Sequence, residues 1–171
     1  MDWETDGLKN VTAGGKRWPE GFDVLDTIRG IVAPLSAGSV LDYGCGYGRL
    51  CEAFSTEEYH GYDTNPQAIY EAERRHPFYS FGDQPVVSDL VLFYTVLLHI
   101  EDVSFVESLD CDYVLIAEIM DSSRANGGKC WPPTYNRDWY EFENFDTRGS
   151  VVRPYKHYKD TDITFLLLEH K

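Results

Sequence analysis

Between Glu20 and Leu35 the apolar side chains Phe22, Leu25, Ile28, Ile31 and Val32 recur at helical spacing and Pro34 closes the run, which predicts an amphipathic helix. Beyond it the apolar residues gather into short runs. Ser39–Gly44 reads as a buried strand, Gly48–Ser55 as a short helix and Tyr59–Asp63 as a second strand. Thr64–His76 reads as a second helix, with Thr64 or Asn65 placed to cap it and Pro66 suited to its first turn. Pro77–Phe81 and Asp89–Tyr94 give a third and a fourth strand, Asp102–Leu109 a helix and Asp112–Ile119 a fifth strand. Strands alternating with helices predict an α/β, Rossmann-like, doubly wound and mainly parallel sheet with helices on both faces.

After Met120 the pattern changes. Asp121–Asn136 is rich in Gly, Pro and Ser and reads as a loop, and the aromatic Tyr135–Phe145 reads as a helix. Ser150–Lys159 and Asp162–Lys171 are separated by too few residues for a parallel crossover, so they predict an antiparallel hairpin and bring the sheet to seven strands. The length suits a single domain over residues 1–171. Within it we expect an N-terminal segment and helix at 1–36, a cofactor-binding core at 37–120 and an acceptor-side loop, helix and hairpin at 121–171.

Composition narrows the function. Fifteen basic against twenty-nine acidic side chains give a formal charge of −14, which repels a phosphate backbone and argues against nucleic acid as a partner. No apolar run approaches a membrane span, and the acidic, polar N-terminus lacks the pattern of a signal peptide. Cys45, Cys51, Cys111 and Cys130 form no CxxC pair and no zinc-ligand spacing, so no metal is expected. A cytoplasmic protein, monomeric or homodimeric, fits these features.

The candidate chemistry starts at "VLDYGCGYGRL", Val40–Leu50, where Gly44, Gly46 and Gly48 follow the first strand. Such a turn would bring backbone N–H groups and a helix end beside a ligand, with Gly44 and Gly46 allowing close approach and Gly48 tight packing of helix on strand. Asp63 lies nineteen residues after Gly44 at the end of the second strand, close to the offset at which an acid accepts ribose hydroxyls. A helix cap is the other reading of Asp63.

These residues resemble the class I S-adenosylmethionine-dependent methyltransferases over roughly Ser39 to Met120. The turn "GCGYG" reads GxGxG rather than the GxGxxG of nicotinamide-binding proteins, with Arg49 at the sixth position, and "SDLVLFYTVLLHIED" looks like the family's fourth strand and following turn. The terminal hairpin agrees. The resemblance implies S-adenosylmethionine as cofactor and S-adenosylhomocysteine as product. It places Gly44, Cys45, Gly46 and Gly48 against the methionine part, Asp42 on the turn or the cofactor amino group, Asp63 and Thr64 at the ribose, Asp83 at the adenine amine, and the strand end at Phe93 and Tyr94 near the amino group. The chain departs from the family in two places. Only "GDQPVVS" joins the third and fourth strands, and "SLDCD" replaces the usual Pro-Gly-Gly turn.

For the acceptor, Phe93-Tyr94-Thr95-Val96 stands where related enzymes acting on planar amines carry Asn/Asp-Pro-Pro-Tyr, which favours a small-molecule hydroxyl. A hydroxyl calls for a base, and His99 is the first candidate, with a backbone-bonded structural histidine as its alternative. Glu118 is the second, against an ion pair with a cation such as Arg124. Arg17 and Trp18, with Lys16, form one candidate acceptor wall, and Trp131, Tyr135, Trp139 and Tyr140 another; core packing is the alternative for both. Two other functions compete: a non-catalytic module that binds the same cofactor, and a nicotinamide-dependent oxidoreductase.

Overall fold

The structure, a computed structural model, describes residues 23–120, 140–155 and 161–171. In chain order it forms α1 (Val24–Val32), β1 (Val40–Tyr43), β2 (Tyr59–Tyr62), α2 (Pro66–Arg75), β3 (Ser80–Gly82), β4 (Leu90–Tyr94), β5 (Tyr113–Glu118), β6 (Phe145–Tyr155) and β7 (Thr161–His170). Single 3₁₀ turns lie at Cys51–Ala53, Leu97–His99 and Ser104–Ser108. The seven strands join in one sheet of order β3-β2-β1-β4-β5-β7-β6. All pairs are parallel except β5 with β7 and β7 with β6, as the terminal hairpin requires.

The continuous apolar runs of the central strands reflect cover on both faces. Along β4, Leu90, Leu92 and Tyr94 enter one core cluster and Val91 and Phe93 the other. The same parity runs through β5, where Leu115 and Ala117 face away from Val114 and Ile116. α1 closes the first face with Val24 and the fully buried Ile28, while the half-buried Leu25, Ile31 and Val32 pack beside them. It starts at Asp23, whose carboxylate accepts the N–H groups of Leu25 and Asp26, and Ala33 caps it one residue before Pro34. On the second face the cover is Leu97, Val106, Tyr140 and Phe145.

Four local expectations are corrected. Gly48–Ser55 forms no α-helix, only the 3₁₀ turn at Cys51–Ala53: eight residues that begin in a left-handed glycine cannot recover the cost of helix nucleation. Asp102–Leu109 likewise keeps a single 3₁₀ turn. β3 starts at Ser80 rather than Pro77, because Pro77–Tyr79 are used to reverse the chain after α2, with Tyr79 N–H bonded to His76 O at 3.0 Å. Of the aromatic stretch expected as a helix, the described part from Tyr140 is irregular, and Phe145 already opens β6.

Candidate functional site

The three glycines after β1 all take positive φ, 78° at Gly44, 55° at Gly46 and 73° at Gly48, so the turn is written into conformations that other residues avoid. Packing demands two of them. A Cβ on Gly44 would lie 2.6 Å from Val96 Cγ2, and one on Gly48 would lie 2.7 Å from Phe81 Cζ. Gly44 therefore admits a neighbouring side chain, and Gly48 seats the turn on β3 instead of a helix on a strand.

The turn also uses its own donors. Gly44 and Cys45 N–H both donate to Tyr62 O, at 2.8 and 2.9 Å, Gly48 N–H to Cys45 O at 3.0 Å, and Gly46 N–H to Asp63 Oδ2 at 2.9 Å. The expectation of a helix end behind the turn is corrected, since no α-helix follows, and these four N–H groups are engaged within the chain.

Two carboxylates flank the turn. Asp63 accepts from Gly46 through Oδ2 and from Asn65 N–H through Oδ1, at 2.9 Å each. Burial raises its pKa, against the pull of those backbone donors. It is not the helix cap, because Asn65 caps α2 by accepting Gln67 N–H. Asp42, 1% exposed, accepts the Tyr59 hydroxyl at 2.7 Å. Burial pushes its carboxyl up to about 6, with Tyr59 and Arg49 pulling the other way. Burial, helped by Asp42 and Asp63, also keeps the Cys45 thiol protonated. Thr64 is exposed beside Asp63, and Asp83 is exposed one residue past β3.

The ends of β4 and β5 complete this edge. Phe93 and Tyr94 are buried, and Thr95 then takes φ 55°, a conformation costly for a β-branched residue. Its N–H bonds Ala117 O at 2.9 Å. Glu118, fully buried, accepts Val96 N–H and Leu97 N–H through one oxygen, each at 2.7 Å. This carboxylate thus holds the turn that carries His99, which is half-buried and donates its backbone N–H to Val96 O. Arg49 reaches the same turn, donating to Thr95 Oγ1 at 3.0 Å with its guanidinium carbon 4.5 Å from the centre of the Tyr94 ring.

Asp42, Gly44, Cys45, Gly46, Gly48, Asp63, Thr64, Asp83, Phe93, Tyr94, His99 and Glu118 thus all occur on or just beyond the carboxyl ends of β1 to β5, where open α/β sheets bind ligands. Lys16, Arg17, Trp18, Arg124, Trp131, Tyr135 and Trp139 lie outside the described residues, while Tyr140 is buried in the second core cluster. Sequence reasoning missed Tyr59, Thr95 and the reach of Arg49. Only Arg49 left a trace, as a charged residue fixed directly behind the third glycine. A cleft of about 700 Å³ between α1 and β6, lined in part by Asp23, Asp26, Ile31 and Arg153, lies elsewhere. β6 is four strand spacings, roughly 19 Å, from β1.

No protein-family model matches the sequence, and no curated protein is significantly similar to it. The fold does match solved structures. Magnesium protoporphyrin IX methyltransferase from Synechocystis PCC 6803, solved with bound S-adenosylmethionine, is 14% identical, with a TM-score of 0.68 over 99% of this chain and 93% of that one. The N-methyltransferase NodS from Bradyrhizobium japonicum WM9 is 13% identical, with a TM-score of 0.61 over 98% of both chains. An rRNA methylase from Escherichia coli is 16% identical, with a TM-score of 0.53 over 86% of this chain and 63% of that one. The chain has the fold of the class I S-adenosylmethionine-dependent methyltransferases. Among the described residues no helix is long and apolar enough to cross a membrane.

Proposed function

We propose that the protein transfers a methyl group from S-adenosylmethionine to a small-molecule acceptor, with a hydroxyl oxygen as the target. The observation that carries this reading is the glycine turn, with four donors used within the chain and two carboxylates beside it. A dinucleotide pyrophosphate needs free N–H groups and the start of a helix. A cationic cofactor with no phosphate needs neither, and nearby carboxylates favour it.

The residues fit that cofactor. Each Asp63 oxygen accepts one backbone N–H in the structure, and an ionised carboxylate has lone pairs for further donors, so Asp63 can take ribose hydroxyls without releasing the turn. Asp42, buried on β1, contributes charge to the edge through its ionised form. Thr64 and Asp83 would meet the ribose and adenine from the exposed ends of β2 and β3. When bound, the cofactor supplies an already activated methyl electrophile. The chain then has to orient the acceptor, exclude water and accept a proton. We assign the proton to the His99 imidazole, and to Glu118 the task of holding the His99 turn. The formal charge of −14 supports a small molecule over RNA.

Incubation with methyl-labelled cofactor and a panel of small hydroxyl and amine compounds tests the reading. Label is expected on a hydroxyl product, and His99→Ala should cut the rate by roughly 10²- to 10⁴-fold with cofactor affinity intact. Label confined to amines would remove the hydroxyl assignment. Cofactor binding without label in any product would favour a non-catalytic module.

A further inference from the structure

Four exposed arginines form ion pairs, Arg29 with Asp26, Arg74 and Arg75 with Glu71, and Arg148 with Glu169, their side chains 40 to 59% exposed. Arg49 stands further inside, half-buried between the buried Gly48 and Leu50, and forms no ion pair within 4.0 Å among the described residues. Its one hydrogen bond goes to the neutral Thr95 hydroxyl, and Tyr94 supplies a ring face beneath it. A guanidinium has five N–H donors in a planar fork, so most of this one's capacity is left over. Asp42 acts on this guanidinium through space but neither bonds nor ion-pairs with it within 4.0 Å, so its fork holds no anion at contact distance among the described residues, and ring contact offsets only part of the cost of its burial.

The geometry points to Arg49 as the seat of a ligand carboxylate, and specifically that of the amino-acid end of the methyl donor. This rests on the cofactor reading above. Arg49 belongs to the glycine turn itself, and the Thr95 it grips adjoins Val96, which fills the space at Gly44. Both signs of charge stand at this turn, negative on Asp42 and Asp63 and positive on Arg49. An amino-acid end, with ammonium and carboxylate on one carbon, complements that arrangement. A neutral thioether without the amino acid does not. An acid group on the acceptor is the other source of the same chemistry, and the two are separable.

Calorimetry of S-adenosylhomocysteine and of 5′-methylthioadenosine, which lacks the amino-acid end, decides the matter on the full chain and on Arg49→Met, which keeps an unbranched apolar stem. The variant should bind S-adenosylhomocysteine on the order of 10- to 100-fold more weakly and 5′-methylthioadenosine unchanged. Equal losses for both ligands would show that Arg49 acts only by holding Thr95, and would overturn the assignment. Unchanged binding of S-adenosylhomocysteine would also overturn it, leaving an acceptor acid as the partner of Arg49. Should Arg49→Met fail to fold, Arg49→Lys keeps the charge but loses the fork, and the same selective loss is expected at smaller size. If the unaltered protein binds neither ligand, the cofactor reading fails before the question of Arg49 arises.

Discussion

Two connections leave adjacent parallel strands at the same edge of the sheet and fold differently. After β2 the chain passes through Asp63-Thr64-Asn65-Pro66 into the ten-residue helix α2, with Asn65 as its cap and Ala68, Ile69 and Ala72 as its buried face. After β1 it makes a tight turn of three left-handed glycines and only three residues of 3₁₀ helix. The first connection satisfies its backbone with local, repetitive bonds. The second satisfies it with bonds to β2: Tyr62 O takes two N–H groups and Asp63 a third. Charge differs as well: Asp63 bonds the glycine turn and Arg49 continues it beside Asp42, whereas Arg74 and Arg75 of α2 pair with Glu71 of the same helix. A connection bonded sideways to its neighbour gives up helical regularity and gains a fixed, charged edge at which a ligand can be held.

Gly44→Ala should break the contrast most severely. It places a Cβ 2.6 Å from Val96 Cγ2 at φ 78°, combining overpacking with left-handed strain for a loss of roughly 2 to 4 kcal/mol, read from urea unfolding. The double variant Gly44→Ala/Val96→Ala should recover the steric share and keep the strain. Next comes Asp42. Its folded pKa, about 6, lies above its ordinary 3.8, so its protonated form stabilises the fold below about pH 4, and that contribution is lost as pH rises through 6. Asp42→Asn should remove up to roughly 3 kcal/mol of this pH-dependent loss, seen as a gain in stability over the parent near neutral pH and none in acid. Equal effects at both pH values would contradict the burial argument.

Asp63→Ala and Asn65→Ala separate the two connections. At Asp63 the expected change is in cofactor binding, weaker by about 1.5 to 3 kcal/mol in calorimetry. At Asn65 it is in stability, lower by about 1 kcal/mol with affinity unchanged, because only the cap of α2 is lost.

The elements that sequence pattern disclosed are those whose stability is local. Asn65-Pro66 announced α2, short apolar runs announced β4, β5 and β7, and the short spacing before Asp162 announced the hairpin. The glycine turn was legible as a place and not as a mechanism. Whether its N–H groups face a ligand or Tyr62 depends on the parallel register of β1 and β2, where Tyr43 stands opposite Tyr62, and a register between strands leaves no periodic mark in the chain. The same holds for Asp42, whose partner Tyr59 lies seventeen residues away, and for Glu118, bonded to backbone N–H groups more than twenty residues earlier. Tyr140–Phe145, the described part of the aromatic stretch expected as a helix, misled for a related reason. Phe145 packs as the first residue of an edge strand, so tertiary pairing with His170 overrode the composition of the stretch.

The central claim is that an edge with four of its glycine-turn donors bonded within the chain and two carboxylates close by takes a cationic, phosphate-free cofactor. Calorimetric titration of the full chain with S-adenosylmethionine, S-adenosylhomocysteine and oxidised nicotinamide adenine dinucleotide tests it most directly. Saturable binding of the first two and none of the dinucleotide is the predicted result. Saturable binding of the dinucleotide, with none of the methyl donor, would contradict the account.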